Sequence, residues 1–249
     1  MKIMNVKLSF TGVLCLLSIS LGANAALSPD RTRIILNQSD KNTSIRLMNQ
    51  SPALPYLAQS WIEDKDGKKS RNYISTLPPM VRLEPKEQIQ VRLMGQPALA
   101  QLPTDRESLF YYNVREIPPR TDQKNVMQIA LQSRLKVFWR PKAIEVKEGQ
   151  ANIIDKFEVS RTNDGLSIKN KSPYFITVGY IGSNGKTLMP DTQSMLIEPL
   201  SHGSQKIKNL PNDFLIGFVG DYGGLNMFKI RCNSVQTICQ SEPVKKRAS

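Results

Sequence analysis

Histidine is nearly absent from this 249-residue chain, where His202 stands alone, and cysteine is scarce, with three in all. One imidazole excludes a histidine-pair zinc site, and Cys232 and Cys239 in "RCNSVQTICQ" are not a C-x-x-C pair, so no zinc ligand set is present. His202 lies in "EPLSHGSQ", which has neither a nucleophile motif nor a second catalytic partner, so it reads as a lone surface-loop histidine. The tripeptide "GKT" (185–187) lacks the glycine that a phosphate loop needs five residues before Gly185; Tyr180 stands there. The sequence therefore reads as a non-enzyme without cofactor or metal. Acidic residues are also few, 21 against 34 Lys and Arg, which leaves a formal net charge of +13. The cations are spread through strand-like segments, and only "KKR" near the tail forms a run. Nucleic acid is not the expected partner. A basic surface could equally attract an acidic protein partner, though charge alone names none.

Long apolar runs are limited to one, from Leu8 to Leu21, with Lys2 and Lys7 around its start and "ANA" ending at Ala25. This is the pattern of a secretory signal peptide over residues 1–25. Ser and Gly interrupt the run, which is too short for a membrane-spanning helix. Cys15 is lost with the leader. The remaining chain starts at Ala26 and carries 32 basic and 21 acidic residues, a net +11. Outside the reducing cytoplasm Cys232 and Cys239 can pair, clamping a terminal hairpin.

Helical periodicity is scarce as well. "RIILN", "SIRLMN", "YLAQSWIED", "QIQVRLM" and "SLFYYNVREI" alternate apolar and polar residues. Turn signals such as "NQSD", "DKDGKK", "IPPR", "TNDG", "SNGK" and "DYGG" recur between strands. The pattern predicts an all-β fold of antiparallel sandwiches. Proline, charge and glycine in "PKAIEVKEGQ" (141–150) mark a hinge, dividing the chain into sandwich domains at 26–145 and 146–249. Asn184-Gly185 predicts a two-residue hairpin. No internal repeat is visible.

"NVMQIALQSRLKVFWRP" (125–141) predicts one unusually long strand. Met127, Ile129, Leu131, Leu135 and Val137 share one parity, and Gln128, Gln132, Arg134 and Lys136 share the other. By pattern alone, the apolar side fills the domain's own core.

Taken with "SPDRTRIILN", "RLEP", "DRESLFYYNVREIPPR" and "DYGG", these blocks resemble the PapD-like periplasmic pilus chaperones over nearly the whole chain after the leader. The resemblance implies two immunoglobulin-like domains set at an angle around a cleft. It implies that Arg33 and Lys136 hold the terminal carboxylate of a pilus subunit. It implies that Met127, Ile129 and Leu131 enter a groove left by the subunit's missing strand. Glu107, Arg140 and Asp221 match internal charges that couple the domains, and Leu77-Pro78-Pro79 falls where the family has a cis bond. The short connection "IPPRTDQKN" resembles the short-loop subclass. Implied partners are pilus subunits and an outer-membrane usher, in the periplasm, with no membrane insertion. Whether the free chain dimerises by capping its own strand stays open. The competing reading is a secreted β-sandwich adhesin or carbohydrate-binding module. Intact mass of the exported protein is expected to begin at Ala26; a product retaining the apolar run would overturn the leader assignment.

Overall fold

The computed structural model describes residues 26–120, 127–146, 156–233 and 238–244; the expected leader and part of the expected hinge lie outside them. Seventeen strands and two short 3-10 turns are found among the described residues, with no α-helix. The first half contains β1 (Leu27–Pro29), β2 (Arg33–Asn37), β3 (Asn42–Asn49), β4 (Tyr56–Asp64), β5 (Ile74–Leu77), β6 (Met80–Leu83), β7 (Gln88–Gly95), β8 (Ser108–Ile117) and β9 (Gln132–Arg140). The second contains β10 (Phe157–Thr162), β11 (Gly165–Asn170), β12 (Ile176–Gly182), β13 (Met195–Ile197), β14 (His202–Lys206), β15 (Asp213–Val219), β16 (Leu225–Arg231) and β17 (Gln240–Pro243).

Each half is a sandwich. In the first, the sheet β1-β3-β7-β5 faces the sheet β2-β9-β8-β4-β6. Alternation explains the packing. Ile45 and Leu47 on β3 and Val91 and Leu93 on β7 meet Ile34, Leu36, Ile62, Tyr112 and Val137 from the other sheet in one buried cluster. Burial of each such side chain stabilises by about 1.5–3 kcal/mol. Ser60, polar but on the inward parity of β4, is satisfied by the Tyr112 hydroxyl at 2.8 Å. The second sandwich sets β10-β11-β14 against β13-β12-β15-β16-β17. Its core includes Phe157, Phe218 and Phe228, packed edge to face with ring centroids 4.7–5.5 Å apart.

The chain enters the first sandwich by changing sheets. After β1 it crosses at residues 30–32 and continues as β2 alongside β9. This pairing is parallel, with Arg33 opposite Lys136 and Asn37 opposite Arg140. β8 covers the other edge of β9, from Ser108 opposite Trp139 to Arg115 opposite Gln132.

The structure differs from the sequence reading at three places. Of the long strand expected over 125–141, residues 125–126 lie outside the described residues, and the described part is regular only at Gln132–Arg140, because neither neighbour's ladder extends past Gln132. The turn at Asn184-Gly185 is wider than two residues: the bridge closing it joins Gly182 to Leu188, and the Asn184 carboxamide oxygen accepts the N–H groups of Lys186 and Thr187. His202 begins β14 rather than sitting in a loop, though it is exposed.

A correspondence between the sandwiches was not visible in the sequence. Asn49 ends β3 and Asn170 ends β11; each is buried, accepts the N–H two residues on and donates to carbonyls of an adjacent loop. The Leu77-Pro78 bond is cis. Cys232 and Cys239 are joined by a disulfide across the mouth of the β16–β17 hairpin, seven positions apart in sequence. By the loop-closure model this link contributes about 2–3 kcal/mol. Replacing both cysteines with serine is expected to lower urea-unfolding stability by that amount, and an unchanged urea midpoint would show that the link is energetically idle.

Candidate functional site

Parallel register places Arg33 and Lys136 side by side on the outward face of the five-stranded sheet, since strands in a ladder lie about 4.8 Å apart. Arg33 is buried, and its Nη1 donates to the Val219 carbonyl of the second domain at 3.0 Å. Its Nε is buried without a partner among the described residues. The guanidinium lies 6.0 Å from the Phe138 ring centroid, and that ring stacks on Phe175 of the second domain. Burial lowers the Arg33 pKa against the pull of Asp221 and Glu107. Burial, reinforced by Arg33 and Arg134, also lowers that of Lys136. Among the described residues, neither cation forms an ion pair.

The acids that could neutralise them are held elsewhere. Glu107 Oε1 accepts Arg140 Nε at 2.9 Å and Nη2 at 2.7 Å, while its Oε2 accepts the Phe175 N–H at 2.7 Å. Asp221 takes Arg140 Nη1 at 3.0 Å and Nη2 at 3.2 Å. One guanidinium thus links β9, the start of β8 and the β15–β16 turn across the domain boundary. The structure brings the three charges expected to couple the domains into one buried cluster. Burial works against the Arg140 charge, yet the hydrogen bonds and charges of Asp221 and Glu107 hold its pKa above the ordinary value.

Between the domains lies a cavity of about 530 Å³ whose lining includes Arg33, Ile35, Arg140, Val146, Asp221 and Tyr222. Lys136 flanks Arg33 without lining this cavity.

Beyond the first residue of β9 the apolar parity continues into solvent. Leu135 and Val137 are in the core, but Leu131, Ile129 and Met127 are 38%, 64% and 85% exposed. The segment is tethered by the Glu116 N–H to the Leu131 carbonyl and by the Gln128 side chain to the Pro119 carbonyl. The expectation that all five side chains fill their own core therefore fails at these three. The exposed stretch lies past the outermost pairings of β9, Arg33 with Lys136 and Arg115 with Gln132.

Sequence reasoning also missed two features. Arg134 stacks 3.4 Å from the Tyr111 ring centroid and pairs with Glu63 at 3.0 Å, an outward-face contact that alternation alone cannot specify. Tyr222 lies in the "DYGG" turn noticed in the sequence, but its place on the cleft wall depends on the second domain's position. Among the described residues no group of His, Cys, Asp and Glu could hold a metal. No helix there is long and apolar enough to cross a membrane.

Two immunoglobulin-like sandwiches with a cation-rich cleft and an exposed apolar segment just ahead of β9 define an assembly chaperone. The chain belongs to the pili and flagellar-assembly chaperone family: the PapD amino-terminal domain model matches residues 26–145, and the carboxy-terminal domain model matches 152–229. It is 53% identical over 243 residues to the fimbrial chaperone YqiH of Escherichia coli K12, covering 96% of each chain. It is 38% identical to the Escherichia coli chaperone protein PapD, covering 89% of this chain and 92% of that one. The solved Pseudomonas aeruginosa CupB2 chaperone is 25% identical, with a TM-score of 0.68, covering 83% of this chain and all of that one.

The Glu107 carboxyl is pushed by burial up to about 7, from an ordinary 4.5, despite Arg140 and the Phe175 N–H. The folded state therefore holds this proton more tightly than the unfolded chain. The resulting stabilisation is complete below pH 4.5 and is lost as pH rises through about 7. A Glu107→Gln chain cannot titrate there. Between about pH 4.5 and about pH 7 its melting temperature is expected to fall less, or rise more, with pH than that of the unmutated chain; identical slopes would refute the assignment.

Proposed function

We propose that the protein acts in the periplasm, where it binds a pilus subunit by donor-strand complementation, caps it, and passes it to an outer-membrane usher. The observation that carries this reading is the placement of two cations without ion-pair partners beside an apolar segment that has run out of its own core. An incomplete immunoglobulin-like subunit exposes an unpaired edge and an open groove, the arrangement most prone to aggregation. The segment ahead of β9 supplies what the groove lacks. Its backbone completes the ladder, while Met127, Ile129 and Leu131 occupy successive sites at two-residue spacing.

Arg33 and Lys136 set the register. An arginine offers a planar fork of donors and a lysine a mobile ammonium, so together they can fix one carboxylate. The unmet Nε of Arg33 is a donor that such a ligand can satisfy. A carboxylate would also relieve the repulsion that Arg33 exerts on Lys136. Anchoring the last residue matters because a slip by one position would turn the wrong face of the paired strand into the groove. The Glu107–Arg140–Asp221 cluster holds the second domain against the first, which keeps the cleft at a constant width. The disulfide agrees with an oxidising compartment.

The alternative, an adhesin or carbohydrate-binding module, offers no account of this charge pair beside an exposed donor segment. Pilin co-purification from the periplasm tests the assignment. Arg33→Ala and Lys136→Ala are each expected to weaken capture by about 30-fold to several-thousand-fold, equivalent to 2–5 kcal/mol, with a near-native melt. Their losses should not add, because both act on one carboxylate. Ile129→Asp should abolish capture and leave a cooperative melt, whereas collapse of that melt would return Ile129 to the core. Normal capture by the Arg33/Lys136 double variant would refute the anchor.

A further inference from the structure

Tyr222 is 76% exposed on the turn between β15 and β16, yet the backbone around it is held from several directions. Asp221, just before it, is gripped by Arg140. Gly223, just after it, has φ +84° and donates to the Gly220 carbonyl at 2.9 Å, while Gly220 donates to Gly224 at 2.8 Å. A Cβ on Gly223 would lie 2.9 Å from Thr32 Oγ1, so the turn presses against the first domain next to Arg33. Val219, at the base of the same turn, accepts the Arg33 hydrogen bond. An aromatic ring on so constrained a backbone costs little to order when something packs against it.

We propose that Tyr222 is a specificity-determining residue: its ring receives a large apolar side chain from the last residue of the bound subunit, beside the carboxylate held at Arg33 and Lys136. This inference rests on the carboxylate-anchor reading above. The cavity's size supports it, since a carboxylate fills only a small part of about 530 Å³, a volume within the range of sites that enclose whole ligands. Its chemistry agrees. Ile35, Val146 and Tyr222 line the same space as Arg33, so an apolar surface adjoins the cation. The chaperone would thus read the side chain at the subunit's end as well as its charge.

Acetylated hexapeptides ending in Phe or Ala, each as free acid and as amide, should be titrated by NMR against the chain from Ala26 onward. The free acid ending in Phe is expected to bind about two- to tenfold tighter than that ending in Ala, the increment typical of an aromatic pair. Tyr222→Ala should bring this ratio to one while keeping the preference for acid over amide. Tyr222→Phe should preserve both, and Arg33→Ala should lose the acid preference. If Tyr222→Ala keeps the Phe preference, or the unmutated chain never has one, the role of Tyr222 is refuted and the anchor stands. If the unmutated chain binds acid and amide alike, or binds no peptide at millimolar concentration, the anchor and this inference both fail.

Discussion

The parallel pairing of β2 with β9 is the constraint on which the rest depends. These strands are separated by roughly a hundred residues of chain, yet their register decides three things together. It sets Arg33 opposite Lys136, where burial and the Arg33 charge both lower the pKa of the lysine. It places Arg140 at the far end of the ladder, where it enters the domain boundary. By ending at Lys136, it also leaves the preceding part of the chain with an open edge. Shifting this pairing by a single residue would disperse all three, because strand faces alternate.

The cleft is stable as a charged object because its charges are divided unequally. Arg140 takes both nearby carboxylates, Glu107 and Asp221, and is held by four hydrogen bonds in a buried setting. A buried ion cluster adds little net stability over apolar packing, but removing one member leaves an unpaired charge at a cost of several kcal/mol. Its main contribution is therefore geometric. It fixes how the second sandwich meets the first, assisted by the Phe138–Phe175 stack and the Tyr174 hydroxyl donated to Ile144. The positive charge left over at Arg33 and Lys136 can then attract an anionic partner group.

The exposed segment at 127–131 carries the opposite kind of incompleteness. Exposed methionine and isoleucine in a row are a liability for a free protein. Leu135 and Val137 anchor the segment at one end in the core, while its backbone keeps the open edge on which the proposed pairing depends. Cleft and segment are thus unsatisfied in complementary ways, one electrostatically and one by packing and backbone hydrogen bonding.

Much of this was legible in the sequence, and the boundary has a physical cause. The segments "RIILN", "YLAQSWIED" and "SLFYYNVREI" coincide with β2, β4 and β8, because a two-residue period is local and follows from the pleat. The disulfide and the all-β class were likewise readable from composition and spacing. Alternation could not reveal that the apolar parity of 127–137 changes its environment midway, since parity tells which residues share a face and not where the facing layer stops. The twin roles of Asn49 and Asn170 were hidden for a similar reason: beside nearby carbonyls at Leu54 and Tyr174, each also reaches a carbonyl remote in sequence, at Leu83 and Glu198. Arg33 and Lys136 could be singled out only through family resemblance, as they would otherwise read as ordinary strand charges. Alternation and cysteine spacing were enough to mark the main first-domain strands, their faces and the cysteine pair. Only the tertiary structure decided which strands became neighbours, which cations stayed without a carboxylate, and where Tyr222 stands, because those outcomes depend on long-range packing that no local period encodes.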